Sequence, residues 1–277
     1  MSPMAATFAW TRTPYYVLTG GLALVFLFPL LWSGIASVSP QPGTAQTVGY
    51  GLGNYTTLFE FQAGLPVFLL NSVIVSGLTV AVTLTVSGLG GYAFARFDFP
   101  GKNVLFLVTL AILMVPYATL LIPLFVLLRD LGLGNSLLGL SLVLAMYQLP
   151  FATFMMRISF EAVPREIEES ALCDGAGSFD VLRRIMLPLV LPGLITVGLF
   201  AFLAAWNDFF APLILISDPG QSPLPLAIAI LRQQTMGVID YGATEAGVVV
   251  MALPAVILFL ALQRYYVRGF MSGAIKG

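Results

Sequence analysis

Long apolar runs separated by short polar joints set the pattern of this chain. Crossing roughly 30 Å of hydrocarbon at 1.5 Å per residue takes about 20 apolar residues in a row, and each run must pair its own backbone as a helix because lipid offers no partner. Six runs approach or exceed that length: Tyr15 to Ser37, Leu65 to Ala95, Val104 to Leu128, Leu137 to Met156, Leu189 to Ile216 and Ala246 to Leu262. The pattern predicts an all-α polytopic membrane protein with six transmembrane helices. It divides into an N-terminal segment over 1–14, one six-helix domain over 15–268 and a tail over 269–277. The first run has an Arg before it and small residues (Ser33, Gly34, Ala36, Ser37) after it, as a signal peptide would. Its apolar stretch is longer than a signal core, so a retained span is expected. Pro40 to Gly53, rich in Gly, Pro, Thr and Gln, reads as an extracytoplasmic loop.

Basic residues near span ends are held on the cytoplasmic side, and six spans put both termini on one side. That side collects Arg12, Arg96, Lys102, Arg157, Arg165, Arg183, Arg184, Arg264, Arg268 and Lys276, against Arg129 and Arg232 on the other. Both termini and the loop over 161–188 are therefore expected in the cytoplasm. Arg96, Asp98 and Lys102 fit a short turn closing at Pro100-Gly101, as topological anchors.

Composition narrows the function classes. With 58% apolar and only 9% charged residues, against roughly 25% charged in a soluble domain, the chain is no water-soluble fold. A formal charge of −1 leaves no basic field for a nucleic acid. Histidine is absent and Cys173 stands alone, so the commonest general base, a zinc cluster and an internal disulfide are all missing. A membrane enzyme is disfavoured further by the lack of paired carboxylates within a span.

The most polar stretch runs from Glu161 to Pro188. Pro164 suits a first helical position, and Glu166, Glu168 and Glu169 follow where carboxylates favour the positive end of the helix dipole. A short helix to about Cys173 is expected. Asp174, Gly175, Ala176 and Gly177 then break it, and Ser178 with Asp180 can start a second helix ending at Arg183 and Arg184, with Pro188 beyond. Two short helices joined by a glycine bend form a knuckle. Ala171, Gly175, Ala176 and Gly177 keep that bend small enough for another backbone to approach. From composition alone, a solvated connector that merely joins two spans is the favoured reading.

The spacing Glu169-Ser170-Ala171, three residues, Gly175, nine residues, Ile185-Met-Leu187-Pro188 resembles the EAA loop of ABC-importer permeases, Glu-Ala-Ala, three residues, Gly, nine residues, Ile-x-Leu-Pro, with Ser170 in place of the middle Ala. Asn71-Ser72, Gly91-Tyr-Ala-Phe-Ala-Arg-Phe-Asp-Phe-Pro-Gly-Lys102, Trp206-Asn-Asp208 and Gly273-Ala-Ile-Lys-Gly277 flank the loop in the order found in the carbohydrate-uptake branch, in its second permease. The resemblance implies a type I ABC importer transmembrane fold in the cytoplasmic (inner or plasma) membrane of a bacterial-type cell. It implies a coupling role for Glu169, Ser170, Ala171, Asp174, Gly175, Ala176, Gly177, Ile185, Leu187 and Pro188. It also implies partners: a second homologous permease, a cytoplasmic ABC ATPase dimer, an extracytoplasmic solute-binding protein and membrane lipid, with no nucleic acid. No Gly-x-x-x-x-Gly-Lys-Ser/Thr phosphate loop is present, so no cofactor is expected on this chain, and ATP with Mg would be used by the partner ATPase. The tail from Gly273 is expected either to fray or to reach toward that ATPase.

Candidate residues for a solute path are Asn71, Tyr147, Gln148, Asn207 and Asp208. A polyhydroxylated solute needs hydrogen-bond partners and aromatic faces, and an intramembrane carboxylate is usually paired or functional. Each could equally serve a neighbouring helix. Asp208 is the sharpest of them, but its expected place near the outer boundary suits a hydrated or capping role beside a break before Pro212, with Trp206 as an interfacial anchor. A neutral sugar is the expected cargo, an amino sugar or glycerophosphodiester the alternative within the class. A secondary carrier is the alternative outside it.

Overall fold

A computed structural model describes residues 3–40, 50–234 and 240–274, with side chains over 14–40, 50–233 and 240–263. All regular elements among them are helices: α1 (Pro3–Val38), α2 (Gly53–Glu60), α3 (Leu65–Arg96), α4 (Lys102–Ala111, extended by a 3-10 turn to Met114) and α5 (Tyr117–Asp130). They continue with α6 (Leu137–Glu161), α7 (Arg165–Cys173), α8 (Ser178–Leu189), α9 (Leu191–Asn207), α10 (Phe210–Leu215), α11 (Leu224–Gln234) and α12 (Tyr241–Ala274), with one 3-10 turn at Pro219–Gln221. Most of the loop over 40–53, and Ile275 to Gly277 of the tail, lie outside the described residues, as do the side chains of Arg12, Arg264 and Arg268.

Four helices are long and apolar enough to cross a membrane unaided, and two bent pairs raise the count to as many as six. The bends correct two of the expected straight spans. Val104 to Leu128 is not one rod: α4 and α5 meet at 104° across Val115 and Pro116. Pro116 cannot donate to the preceding turn and pushes Val115 out of the α region, to ψ 125°. Leu189 to Ile216 is likewise divided, with a 77° bend between α8 and α9 at Val190 and a break at Asp208–Phe209 before α10. Elsewhere the helices outrun the apolar windows, α3 reaching Arg96 and α6 reaching Glu161.

The described residues fall into two compact units. In the first, within Met1–Phe61 and Ile230–Leu253, Asn54 Nδ2 donates to Ser37 O at 2.9 Å and Ser39 O at 3.1 Å. This ties off carbonyls that the end of α1 leaves unpaired. Gly242 packs so closely on Asn54 that a Cβ there would lie 2.4 Å from its Oδ1. The apolar side chains of α1 from Tyr15 to Ile35 are largely exposed, as a helix bathed in lipid or laid on another protein requires.

The second unit, within Gln62–Ala229 and Pro254–Gly277, is built on α3, α6 and α9. Its α3 buries a file of small hydroxyl residues, Ser72, Ser76, Thr79, Thr83 and Ser87, spaced at helical intervals of three and four. Small side chains let two backbones approach, which in lipid replaces the hydrophobic force that joins helices in water. The approach is tightest at Gly91, where an added Cβ would sit 2.5 Å from Met156 Cβ and 2.9 Å from Arg157 N. At Gly88, on the same helix, nothing lies within 4 Å. Overpacking a filled contact costs about 1–3 kcal/mol. Gly91→Ala is therefore expected to lower the melting temperature of the purified protein clearly, and Gly88→Ala to leave it near wild type. Equal melting of the two variants in a detergent thermal scan would refute this reading of the seam.

Candidate functional site

The polar stretch after α6 folds into the knuckle α7–bend–α8. Pro164 stands at the N-cap (φ −56°, ψ 138°), one residue ahead of the expected position, and Glu166 and Glu168 occupy the first turn. At the other end Gly175 takes φ +86°, a left-handed conformation that a side chain resists. Gly175 N–H donates to Leu172 O at 3.0 Å and Ala176 N–H to Ala171 O at 3.1 Å. Those two bonds are the Schellman pair that ends a helix and reverses the chain. Glycine is thus required by the backbone, while space around its Cβ position is open.

Helix α8 departs from expectation. It does not end at Arg183 and Arg184 but runs through a π-helical turn over Leu182–Met186 to Leu189, with Pro188 inside it. A proline ring clashes with the carbonyl four residues back, here Arg184 O, and has no N–H for it. The wide turn shifts bonding to i→i+5 just upstream and absorbs both defects. Arg184 pairs with Asp180 at 3.2 Å on the exposed surface.

The coupling candidates divide between two faces. Glu169, Ser170, Asp174, Gly175, Gly177 and Pro188 are exposed. Ser170 Oγ is turned back onto Glu166 O at 2.7 Å. Ala171, Ala176 and Leu187 pack instead on the unit's own core, against a cluster that includes Tyr92, Met156, Phe160, Val181 and Met186, and Ile185 is half-buried. Those alanines seat the knuckle on its own chain.

Glu168, expected only to favour the helix dipole, and Arg96, expected as a topological anchor, meet beside the knuckle. Arg96 Nε lies 3.1 Å from Glu168 Oε2, and Tyr92 Oη donates to Glu168 Oε1 at 2.5 Å. The Arg96 Nη2 donates to Phe160 O at 2.8 Å and Val163 O at 2.6 Å. The neighbouring charges Lys102–Asp98 and Arg157–Glu161 pair locally at 3.2 and 2.8 Å, and the Arg157 guanidinium lies over the Phe106 ring at 4.2 Å.

Within the second unit, Tyr147, Gln148 and Asp208 line one cavity of about 280 Å³ together with Tyr117. Tyr117 Oη donates to Asp208 Oδ2 at 2.8 Å, Tyr147 Oη donates to Tyr117 O at 2.9 Å, and the two rings stand edge to face with centroids 4.4 Å apart. Asp208 Oδ1 accepts from Ala211 N–H at 2.8 Å, capping α10. Two chain breaks, at Pro116 and at Asp208, therefore meet in one pair of side chains. Tyr117 lies in an apolar run that gives it no polar signal of its own, although the proline before it marks the place.

The remaining candidates are not brought to this cavity. Asn71 Nδ2 donates to Gly220 O at 3.0 Å and Ser222 O at 3.1 Å, and Ser72 Oγ accepts from Leu224 N–H at 2.8 Å, so this pair holds the connection ahead of α11. Asn207 is exposed and bonds back to Leu203 O at 2.8 Å. Trp206, expected as an interfacial anchor, is enclosed by protein instead of being presented to lipid: it is 1% exposed and stacked on Phe202.

Residues 87–271 match the family described as binding-protein-dependent transport system inner membrane component. The chain is 35% identical over 273 residues to the diacetylchitobiose uptake system permease protein DasC of Streptomyces coelicolor, covering 97% of each chain. It is 31% identical over 261 residues to the trehalose/maltose transport system permease protein MalG of Thermococcus litoralis, covering 92% of this chain and 94% of that one. Among solved structures, a chain of a bacterial ABC transporter involved in the import of the acidic polysaccharide alginate superposes with a TM-score of 0.75 at 22% identity, over 96% of this chain and 99% of that one, which is a likeness of fold.

Removing the Asp208 carboxylate unpairs both Tyr117 Oη and the first turn of α10, and an unmade cap or buried hydrogen bond costs about 1–2 kcal/mol each. Asp208→Ala should melt several degrees below wild type, and Tyr117→Phe by less. An Asp208→Ala protein with wild-type melting would show that the carboxylate does not join the two breaks.

Proposed function

The chain belongs to the family of binding-protein-dependent transport system inner membrane components, and from that premise we propose that it forms half of a translocation path for a neutral disaccharide or small oligosaccharide. It is a permease subunit of a binding-protein-dependent ABC importer, a transport subunit rather than an enzyme. The other half would come from a second homologous permease. The observation that carries the mechanism is the two-faced knuckle: small residues fasten it inward to the ends of α3 and α6, and an acidic, glycine-hinged face is left exposed on the outside.

In this reading Glu169, Ser170, Asp174 and Gly175 meet a cytoplasmic ATPase dimer, which binds ATP and Mg. The basic residues at span ends favour both termini on that side. The cavity at Tyr117, Tyr147, Gln148 and Asp208 is the stretch of path offered to the solute. Irregular backbone at membrane depth is tolerated where it lines a cavity, and aromatic faces with an amide and a carboxylate suit hydroxyl-rich ligands. Asn71, committed to two carbonyls, serves the scaffold in this reading.

The assembled transporter in proteoliposomes, with its binding protein outside and ATP inside, is expected to accumulate a labelled trehalose-type or chitobiose-type sugar only while ATP is present. Accumulation without the ATPase would mark a secondary carrier. Gly175→Val places a β-branched residue at φ +86°, a strain of roughly 1–3 kcal/mol. Sugar-stimulated ATP hydrolysis should fall several-fold while the chain still inserts. Wild-type stimulation in that variant would remove the bend from the coupling contact.

A further inference from the structure

We infer that Arg96 and Tyr92 of α3 are positioning residues for the coupling helix: through Glu168 they fasten α7 to the cytoplasmic ends of α3 and α6, so that a push on the docked helix is delivered to those two spans together. The inference rests on the importer reading and extends it to residues outside the loop motif.

Consecutive residues on a helix stand about 100° apart, so neighbours can face opposite ways. Glu169 is exposed, whereas Glu168 points back into its own chain and both of its carboxylate oxygens are engaged, Oε1 by Tyr92 and Oε2 by Arg96. Arg96 does three things at once. Its Nε faces Glu168, and its Nη2 reaches Phe160 O in the last turn of α6 and Val163 O in the linker to α7. One guanidinium therefore binds the end of α3, the end of α6, the linker and the coupling helix.

Burial gives this node its stiffness. The side chains of Arg96 and Glu168 are 5% and 12% exposed. An exposed ion pair breaks and reforms at little cost, while a desolvated charge that loses its partner is left stranded. Apolar contacts such as Ala171 on the core hold the helix close but allow it to slide. The hydrogen bond from Tyr92 Oη fixes the angle of the Glu168 carboxylate, and the two carbonyl bonds of Nη2 hold the guanidinium against it, where Nε meets Glu168 as an ion pair rather than an aligned hydrogen bond. Lysine carries the same charge as a point, with no fork to span a carboxylate and two carbonyls.

The test uses the complete transporter in proteoliposomes, with its partner permease, ATPase and binding protein, reading solute carried per ATP hydrolysed. Co-purification of the ATPase reports assembly. The double variant Arg96→Met/Glu168→Leu removes both charges without stranding either, and is expected to assemble yet carry about tenfold less solute per ATP, the scale of a lost charged hydrogen bond. Arg96→Lys should fail to restore the wild-type ratio. Tyr92→Phe deletes one hydroxyl and no charge, and should lower the ratio by about two- to fivefold with assembly unchanged. A wild-type ratio in the double variant overturns the inference, as does full coupling in Arg96→Lys. If the double variant does not assemble, Tyr92→Phe decides, and an unchanged ratio there overturns it. Failure of the importer reading looks different: wild-type protein would then accumulate solute without ATP.

Discussion

A carbonyl or N–H enclosed by protein or lipid finds no water, and the architecture follows from how this chain supplies partners where several of its helices stop. Asn54 closes the end of α1, Arg96 closes the end of α6, Asn71 and Ser72 close the connection before α11, and Asp208 closes the gap before α10. Asn135 Oδ1 does the same after α10, accepting from Ser217 N–H at 2.8 Å. Each closure comes from a side chain distant in sequence or lying across a break. The bonds that satisfy the backbone are therefore also the bonds that fix where the helices lie. Van der Waals packing along the small-residue file of α3 completes the arrangement.

Much of the fold was legible because membrane depth imposes a length that apolar runs must meet. Four of the six runs became single helices, and the two that did not each hide an internal defect. Pro116 and Asp208 were visible in the sequence, but an apolar window averages over one proline or one carboxylate. The knuckle was legible for a different reason, since its glycine and helix-end chemistry is local. Gly175 takes the left-handed conformation that the bend demands, while the end of α8 could not be read because the π turn around Pro188 is a response to strain.

The candidate site was read less completely. Tyr147, Gln148 and Asp208 share a cavity, but Tyr117, which joins them, looked like one more aromatic in an apolar run. Asn71, a path candidate by residue type, has its amide committed to two backbone carbonyls. In the loop, charge alone could not rank three glutamates. Only the packing of α7 on α3 separates Glu168, which is enclosed, from Glu169, which is not. A polar residue reveals that it needs a partner, and the fold decides whether that partner belongs to the same chain.

Adjacent glutamates with opposite tasks make the number of residues between Glu161 and Gly175 matter more than most of their identities. Adding or removing one residue there turns every later position by about 100° and exchanges the roles of inner and outer carboxylate. A substitution at one exposed position here alters one contact, whereas an insertion or deletion displaces the inner and the outer carboxylate together.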